Sequence, residues 1–388
     1  MNNLIKKILP SISGSGQKLM VVFLLVVLSN GAFSQEITKI FLGDEPFNPD
    51  TTGNLYIAVD NLSFFKNNEY KSEYATGYTL TGAWIRPKLI YYPDKKFRFE
   101  IGGQVLKYNG RDEYKAFPWF AAVYQPEKHV TFRMGNLNGD QNHGLPEPVM
   151  DSEHFLNGSP EAGIQAKYKN HFLKADMWID WQKMIFKGDP FKERFVFGTV
   201  LEGTLYHGGN SKLTLPITFN GLHEGGEIDT APGLAHTNIA VSEGVKFSQQ
   251  IEGSVFKSWL LEATLLQSTY PEGQTALKSV RGSAWYLHAG INSGYGNIVA
   301  GYWQGTRYFT PLGMPLFQNG AMDQPAAIDQ NKLCTLSYLF ERKIFNQSNF
   351  GFNFNMLLNT STGKISNYEG LYLMINFSVL LPKTKKMQ

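Results

Sequence analysis

The sequence predicts an all-β protein, a closed antiparallel up-and-down transmembrane β-barrel of about 16 strands (roughly 14 to 18). Three observations predict this fold: an export signal, segments in which apolar and polar residues alternate, and a strict alternation of connections. Seven tight turns alternate with eight longer loops along the chain. In transmembrane barrels the short turns face the periplasm and the long loops face outward.

Residues 1–34 have the composition of a secretory signal, with three lysines and no acidic residue. The apolar run Leu19–Leu28 is too short to span a bilayer, which needs about 20 residues. Ala32 and Ser34 are small residues at the cleavage-site positions, so we expect cleavage before Gln35. An uncleaved membrane anchor is the alternative.

The charge balance excludes one class of function. Without the signal the chain has 33 basic and 33 acidic residues, so nucleic-acid binding, which needs a basic face, is not expected. The single cysteine, Cys334, excludes an intramolecular disulfide framework, and we interpret it as a packing residue rather than a reactive thiol. After the signal, no segment approaches 18 consecutive apolar residues, which excludes a helical membrane bundle.

We expect a periplasmic lead-in at residues 35–53, the barrel at 54–381 and a polar C-terminal tail at 382–388. Turn residues such as Gly, Asn and Pro separate the extended segments of the barrel. In chain order the predicted strands are Asn54–Phe64, Tyr78–Tyr92, Phe97–Tyr108, Tyr114–Tyr124, His129–Leu137, Ala162–Lys167, Phe172–Lys183, Arg194–Tyr206, Lys212–Leu222, His236–Ser248, Phe256–Gln267, Ser283–Ile291, Asn297–Tyr308, Lys332–Arg342, Phe350–Asn359 and Gly370–Leu381.

The alternation is explicit in the third predicted strand. Its apolar face consists of Phe97, Phe99, Ile101 and Val105, and its polar face of Arg98, Glu100 and Gln104. A strand buried on both faces in a soluble protein would have to bury these charges, whereas a barrel strand has lipid outside and water inside. An exported soluble β-sandwich is therefore the disfavoured alternative.

With this pattern, the chain resembles bacterial outer-membrane β-barrel proteins of general-porin size. The signal ending Ala-Phe-Ser-Gln and the aromatic-rich strands resemble those of Bacteroidota envelope proteins. The resemblance implies location in the outer membrane, contact with its lipid, and a possible homo-oligomer. One departure is that Phe377 lies inside the last strand and a polar tail follows, whereas many such barrels end on a terminal aromatic residue.

The resemblance also implies a role for the third outer loop, Asn138 to Glu161. In sixteen-stranded porins this loop folds into the lumen and narrows it, and the alternative is a solvated surface loop. The acidic residues of the loop that we expect at the constriction are Asp140, Glu147, Asp151 and Glu153. Basic wall residues that would face them are Arg86, Lys88, Arg98, Arg133 and Arg194. Acidic wall residues are Glu100, Asp176 and Asp180; whether these charges line an open channel or pair inside a plugged barrel stays open.

A calcium site at the start of this loop is a weak candidate. Asn136, Asn138, Asp140 and Asn142 place oxygen ligands at alternate positions. Only one of the four is charged, no bidentate Glu follows, and turn chemistry explains the same residues. We therefore expect no metal and no cofactor.

These observations predict a passive or weakly selective channel for small hydrophilic solutes. One alternative is a plugged or narrow barrel that binds an envelope partner or a saccharide through its outer loops. Another is a lipid-modifying enzyme with a Ser and a His near the outer rim, for which His207, His223, His236 and His288 are available. Because no Gly-x-Ser-x-Gly or His-Glu-x-x-His motif occurs after the signal, we expect that the chain is not an enzyme.

Overall fold

Sixteen β-strands, each paired with two neighbours, make up the computed structural model. It describes residues 52–139, 141–253, 255–271, 279–322, 324–325, 327–345 and 348–382. The predicted signal, most of the lead-in, most of the C-terminal tail and Asp140 lie outside the described residues.

The strands are β1 (Leu55–Glu69), β2 (Thr79–Asp94), β3 (Phe97–Tyr108), β4 (Tyr114–Glu127), β5 (Val130–Asn136), β6 (Ala162–Lys169), β7 (Leu173–Lys183), β8 (Arg194–Gly208), β9 (Ser211–Glu224), β10 (His236–Gln250), β11 (Phe256–Pro271), β12 (Ser279–Ser293), β13 (Gly296–Thr306), β14 (Gln330–Phe345), β15 (Ser348–Asn359) and β16 (Ile365–Leu380). A one-turn helix α1 (His154–Asn157) and a 3₁₀ turn (Pro315–Phe317) lie in two of the outer connections. The predicted sixteen-stranded antiparallel barrel is confirmed.

Pairing of the first and last strands closes the barrel. β1 and β16 run antiparallel from the pair Tyr56 and Leu380 to the pair Glu69 and Asn367. Closure leaves no free sheet edge, so the backbone N–H and C=O groups of the strands can all be satisfied inside a bilayer that contains no water. This is the outer-membrane β-barrel architecture that the sequence pattern predicts.

The two faces of each strand have opposite chemistry. On β3, Phe97, Phe99 and Ile101 are exposed on the outer surface, whereas Arg98 and Glu100 point inward and are buried. The alternation therefore places apolar side chains against lipid and polar side chains inside the barrel, as expected. Among the described residues, no helix is long and apolar enough to cross a membrane.

Two outer connections fold into the barrel and fill part of its interior. These are the described residues of 137–161, here called the strap, and those of 307–329 between β13 and β14. They meet through the backbone, where Asp151 donates to the carbonyl of Leu312 at 2.7 Å and Met314 donates to that of Glu147 at 2.9 Å. Buried apolar residues of both connections share one cluster with inward side chains of strands β7, β8 and β10 to β16. The sequence pattern did not predict this apolar interior.

Candidate functional site

The acidic residues of the strap reach the barrel wall at separate points. Glu153 pairs with Lys66 of β1 at 2.6 Å and accepts a hydrogen bond from Asn68 at 3.0 Å. Glu147 accepts a hydrogen bond from the hydroxyl of Tyr368 on β16 at 2.8 Å, and burial raises the pKa of its carboxyl. Asp151 stays within the strap, where its side chain accepts from the backbone N–H of Glu153. The strap therefore lies in the lumen, as the resemblance implied.

A buried histidine ties the other end of the strap to β7. His143 Nδ1 lies 3.0 Å from Asp176 Oδ2, and its Nε2 lies 2.9 Å from Glu161 Oε2. Its ring stacks on Trp178 with a centroid distance of 3.6 Å. Burial alone lowers the pKa of His143, but the charge of Glu161 and the hydrogen bonds to both carboxylates raise it to about 9. The same contacts hold the pKa of Glu161 well below its usual range, against the opposing effect of burial.

Several of the predicted basic wall residues pair with acidic residues of the wall itself, and not with the acidic residues of the strap. Glu100 binds both Arg98 and Arg133, each at 2.9 Å, and accepts a hydrogen bond from Trp119. Lys88 pairs with Asp60 at 3.1 Å. Side chains that line a water-filled pore are exposed to solvent, yet the four predicted wall residues Lys88, Arg98, Glu100 and Arg133 are less than one-tenth exposed, and the Asp60 side chain is 12% exposed. The burial favours the plugged-interior alternative for this part of the wall.

Of the remaining predicted wall residues, Arg86 joins this network through Asp60 at 3.7 Å, whereas Asp180 and Arg194 lie apart from it. Arg86 sits over the ring of Trp119 at 3.8 Å, and Asp180 accepts the backbone N–H of Ala162 at 2.8 Å. Arg194 begins β8 at the outer rim and pairs with Glu224 at 3.3 Å. A lining or constriction role for these residues stays a prediction.

The weak calcium candidates have other partners. Asn136 accepts the backbone N–H of Phe120 at 2.7 Å, and Asn142 accepts that of Gly144 at 3.2 Å. Asn138 exchanges hydrogen bonds with Gln165 through its own backbone. Within the part of the chain that the structure describes, no group of three or more His, Cys, Asp or Glu side chains could hold a metal ion.

A different constellation lies at the outer ends of β8, β9 and β10. Because β9 is paired with both neighbours there, His223 stands opposite Phe195 on one side and Thr237 on the other. These three residues share the phase of exposed apolar residues such as Val241, so they face the membrane side of the wall. We call His223 and Thr237 the rim pair.

The rim pair has the geometry of a base and a nucleophile. His223 Nδ1 lies 2.8 Å from Thr237 Oγ1, and Nε2 lies 2.6 Å from the carbonyl oxygen of Gly225. Since a carbonyl can only accept, Nε2 carries a proton, and in the neutral ring Nδ1 is then the acceptor for the Thr237 hydroxyl. A hydroxyl bonded to an imidazole that a third group holds in one tautomer is the arrangement of nucleophilic acyl transfer.

The surroundings of the rim pair are apolar on the membrane side and charged on the inner side. The Phe195 ring lies 4.8 Å from the His223 ring. Below it, Phe197 lies against Gly221, at whose position a Cβ would come within 2.4 Å of the ring. On the inner face of the same strands Glu224 pairs with Arg194 and with His236. The pair therefore lies where an apolar surface meets polar groups.

His223 was one of the histidines expected near the outer rim, but Thr237 was not predicted. The expected nucleophile was a serine, whereas this hydroxyl belongs to a threonine on the next strand. The usable signal was the β9–β10 hairpin: pairing that brings Glu224 opposite His236 also brings His223 opposite Thr237. Of the other histidines considered, His236 and His288 pair with inward glutamates, and His207 lies exposed near a periplasmic turn.

The chain is similar to solved outer-membrane proteins at low identity. The outer membrane protein OprD from Pseudomonas aeruginosa is 9% identical, with 86% of this chain and 95% of that chain covered and a TM-score of 0.48. Pseudomonas aeruginosa OccK2 (OpdF) is 9% identical over 85% of this chain and 100% of that chain, with a TM-score of 0.48. Acinetobacter baumannii OccAB3 is 10% identical over 84% and 99%, with a TM-score of 0.47. No curated protein matches the chain.

A family model gives a different kind of match. The model of the lipid A 3'-O-deacylase-type family matches residues 47–384, nearly the whole described chain. That family is one of enzymes, so the expectation that the chain is not an enzyme was wrong. The expectation relied on the absence of a linear motif, whereas strand pairing brings His223 and Thr237 together without one. The chain belongs to the lipid A 3'-O-deacylase-type family.

Proposed function

We propose that the chain is an outer-membrane esterase that removes an acyl chain from a glycolipid of the lipid A type. Thr237 is the nucleophile and His223 the general base. The single observation that carries the proposal is the 2.8 Å contact between Thr237 Oγ1 and His223 Nδ1, with Nε2 held by the Gly225 carbonyl. Membership of the lipid A 3'-O-deacylase-type family supports the same substrate class.

In the first half-reaction, Oγ1 of Thr237 attacks the ester carbonyl carbon while its proton passes to Nδ1 of His223. The resulting imidazolium keeps its Nε2–H bond to the Gly225 carbonyl, which is a partial negative charge 2.6 Å away. The bond between the carbonyl carbon and the sugar oxygen then breaks, and that oxygen takes the proton from Nδ1. The products are a free sugar hydroxyl and an acyl ester on Thr237.

In the second half-reaction, water attacks the acyl ester and gives its proton to Nδ1. The bond to Oγ1 breaks, Oγ1 recovers the proton, and the fatty acid leaves. The position of the pair suits such a substrate, because Phe195 and Phe197 offer an apolar surface to the acyl chain. Polar groups at the rim offer hydrogen bonds to the sugar. We further propose that the protein reaches this membrane after removal of residues 1–34.

The test is hydrolysis of purified lipid A in mixed micelles, followed by mass spectrometry for loss of one ester-linked acyl chain. We expect Thr237→Val and His223→Asn to lose at least about 100-fold in rate, the scale of a general base or nucleophile. Thr237→Ser should retain activity because it keeps the hydroxyl. His207→Asn, an exposed histidine at the opposite end of the barrel, is the matched control and should be unchanged. Full activity in Thr237→Val would exclude this nucleophile.

We propose passage of small hydrophilic solutes as a second function. The observation that favours it is the strand number: the sixteen strands turn a polar face toward the lumen, and a barrel of this size encloses a water-filled channel where loops do not fill it. The strap occupies that lumen, so we expect small conductance steps in planar bilayers. Glu153→Gln, which weakens the tie between the strap and Lys66, should enlarge them. Silence of both proteins would argue against a channel and for the plugged alternative.

A further inference from the structure

Two outer loops beside the rim pair are joined into one unit. Residues 184–193 connect β7 to β8, and residues 225–235 connect β9 to β10. Lys192 Nζ donates to the carbonyl of Leu234 at 2.8 Å, and Thr230 donates to the carbonyl of Asp189 at 3.0 Å. We call these two segments the paired loops. These hydrogen bonds hold the two loops together as one surface.

The paired loops expose large apolar side chains to an unusual degree. Phe186 is 75% exposed, Met184 60%, Leu234 51% and Ile228 49%. Elsewhere among the described outer-loop residues, the exposed large apolar side chains are Tyr78, at 46%, and Met322, at 63%. Outer loops such as 109–113 and 360–364 are polar. A cluster of exposed apolar side chains on one part of a surface marks a place that contacts lipid or another apolar partner.

The apolar surface of the paired loops is continuous with the lipid-facing wall. β7 ends two residues after the outward residue Trp181, which donates a hydrogen bond to Glu193 of the first loop at 2.8 Å. The ring of Trp181 lies 5.1 Å from that of Phe195, which in turn lies against His223 of the rim pair. The charged residues at this junction lie against aromatic rings: Lys183 Nζ lies over the Phe191 ring at 3.8 Å, and Glu193 accepts the Trp181 N–H. Lipid that contacts the wall at Trp181 can therefore extend along these rings onto the loops.

We propose that the paired loops bind the acyl chains of outer-leaflet lipid and present a glycolipid ester to the rim pair. The inference rests on the proposed function for the identity of that lipid, while the lipid contact itself stands on exposure and continuity. Phe186 and Leu234 would enter the acyl region, and Gly225, which fixes the tautomer of His223, belongs to the same loops. Binding of the paired loops to lipid would thereby affect the orientation of the His223 ring.

Lipid contact can be measured without any catalysis. A nitroxide label at Phe186→Cys, in a Cys334→Ala background that removes the exposed native thiol, is compared with a label at Ser361→Cys in the polar loop 360–364. In phospholipid vesicles, we expect the label at 186 to collide with oxygen and to be shielded from a soluble nickel chelate. The label at 361 should show the reverse. Equal nickel accessibility at both sites would overturn the proposal.

The second experiment measures catalysis. With Phe186→Ser/Leu234→Ser, we expect KM for lipid A in vesicles to rise about tenfold, because apolar surface for the chains is lost. The rate on a water-soluble short-chain ester should be unchanged, since the rim pair is intact. Equal loss on both substrates would contradict a docking role. If the wild type cleaves neither substrate, the proposed function fails while the labelling experiment still decides the lipid contact.

Discussion

His223 and Thr237 lie on neighbouring strands, directly opposite each other, and their side chains meet at 2.8 Å between Nδ1 and Oγ1. Antiparallel pairing of β9 and β10 fixes this distance, because opposite residues on one face of a sheet have Cβ atoms about 4.5–5.5 Å apart. The geometry of this pair is therefore set by the barrel wall, and the loop contributes the Gly225 carbonyl that contacts His223 Nε2.

The buried pair of Lys66 and Glu153 predicts an asymmetry between single and double substitutions. Lys66→Met or Glu153→Leu alone leaves one charge buried without its partner, which costs about 3–5 kcal/mol. Combining the two removes both charges, so the double variant should recover much of that loss. Denaturant unfolding in detergent micelles would measure all three free energies. Equal destabilisation by the double variant and the sum of the singles would show that the pair is not coupled.

The strap should loosen in alkaline solution because His143 is held between two carboxylates. Its pKa of about 9 in the folded protein is above the ordinary value of 6.5. The protonated contact therefore stabilises the strap fully below pH 6.5, and that contribution is lost as the pH rises through 9. The expected loss is on the order of a few kcal/mol.

Hydrogen exchange across residues 137–161, followed from pH 6 to 10 and corrected for intrinsic rates, would measure this effect. In His143→Gln the loss of protection near pH 9 should be absent, because the group that titrates there is gone. An unchanged wild-type protection factor above pH 9 would show that the strap is held by other contacts.

Gly163 and Gly203 should respond differently to replacement by alanine. A Cβ at Gly163 of β6 would lie 2.0 Å from the carbonyl oxygen of Ile179 on the neighbouring strand, so the backbone must shift. A Cβ at Gly203 of β8 meets nothing within 4 Å. We expect Gly163→Ala to destabilise the barrel by about 1–3 kcal/mol and Gly203→Ala to be close to neutral. Melting temperatures in detergent would separate the two, and equal shifts would contradict the packing argument.

Close packing beside the rim pair predicts an effect on activity. Gly221→Ala would push against the Phe197 ring, which covers it, and would displace the apolar surface next to His223. We expect a higher KM for lipid A with little change in melting temperature, because the ring lies at the lipid boundary and can move outward. Gly203→Ala again serves as the matched control. An unchanged KM would show that Phe197 does not contact the substrate.

Strand number, turn positions and the two faces of the wall could be predicted because each depends on local pattern. In β3, the alternation of Phe97, Arg98, Phe99 and Glu100 repeats every two residues. Successive side chains of a strand point to opposite faces, so this period places apolar residues against lipid and polar residues inside the barrel. The sixteen predicted segments all coincide with observed strands for the same reason. The location of the third loop in the lumen came from the resemblance, not from a pattern in the loop.

The contacts between distant segments could not be predicted in this way. Residues of the strap and of the 307–329 connection have no period, so nothing in their sequence indicated that they would build an apolar cluster inside a polar-lined barrel. Wall charges such as Glu100 and Arg133 were recognised as inward-facing, but their mutual pairing depends on which rows of the wall the register brings together.

The sequence by itself determined the class of structure, an antiparallel barrel with an apolar outside, because apolar and polar residues alternate along the strands. Only the tertiary structure decided that a histidine and a threonine 14 positions apart form a hydrogen-bonded pair, that a buried histidine ties down the strap, and that two loops are joined by hydrogen bonds. These depend on strand register and loop packing. Both are set by the summed contacts of the whole barrel rather than by any one segment.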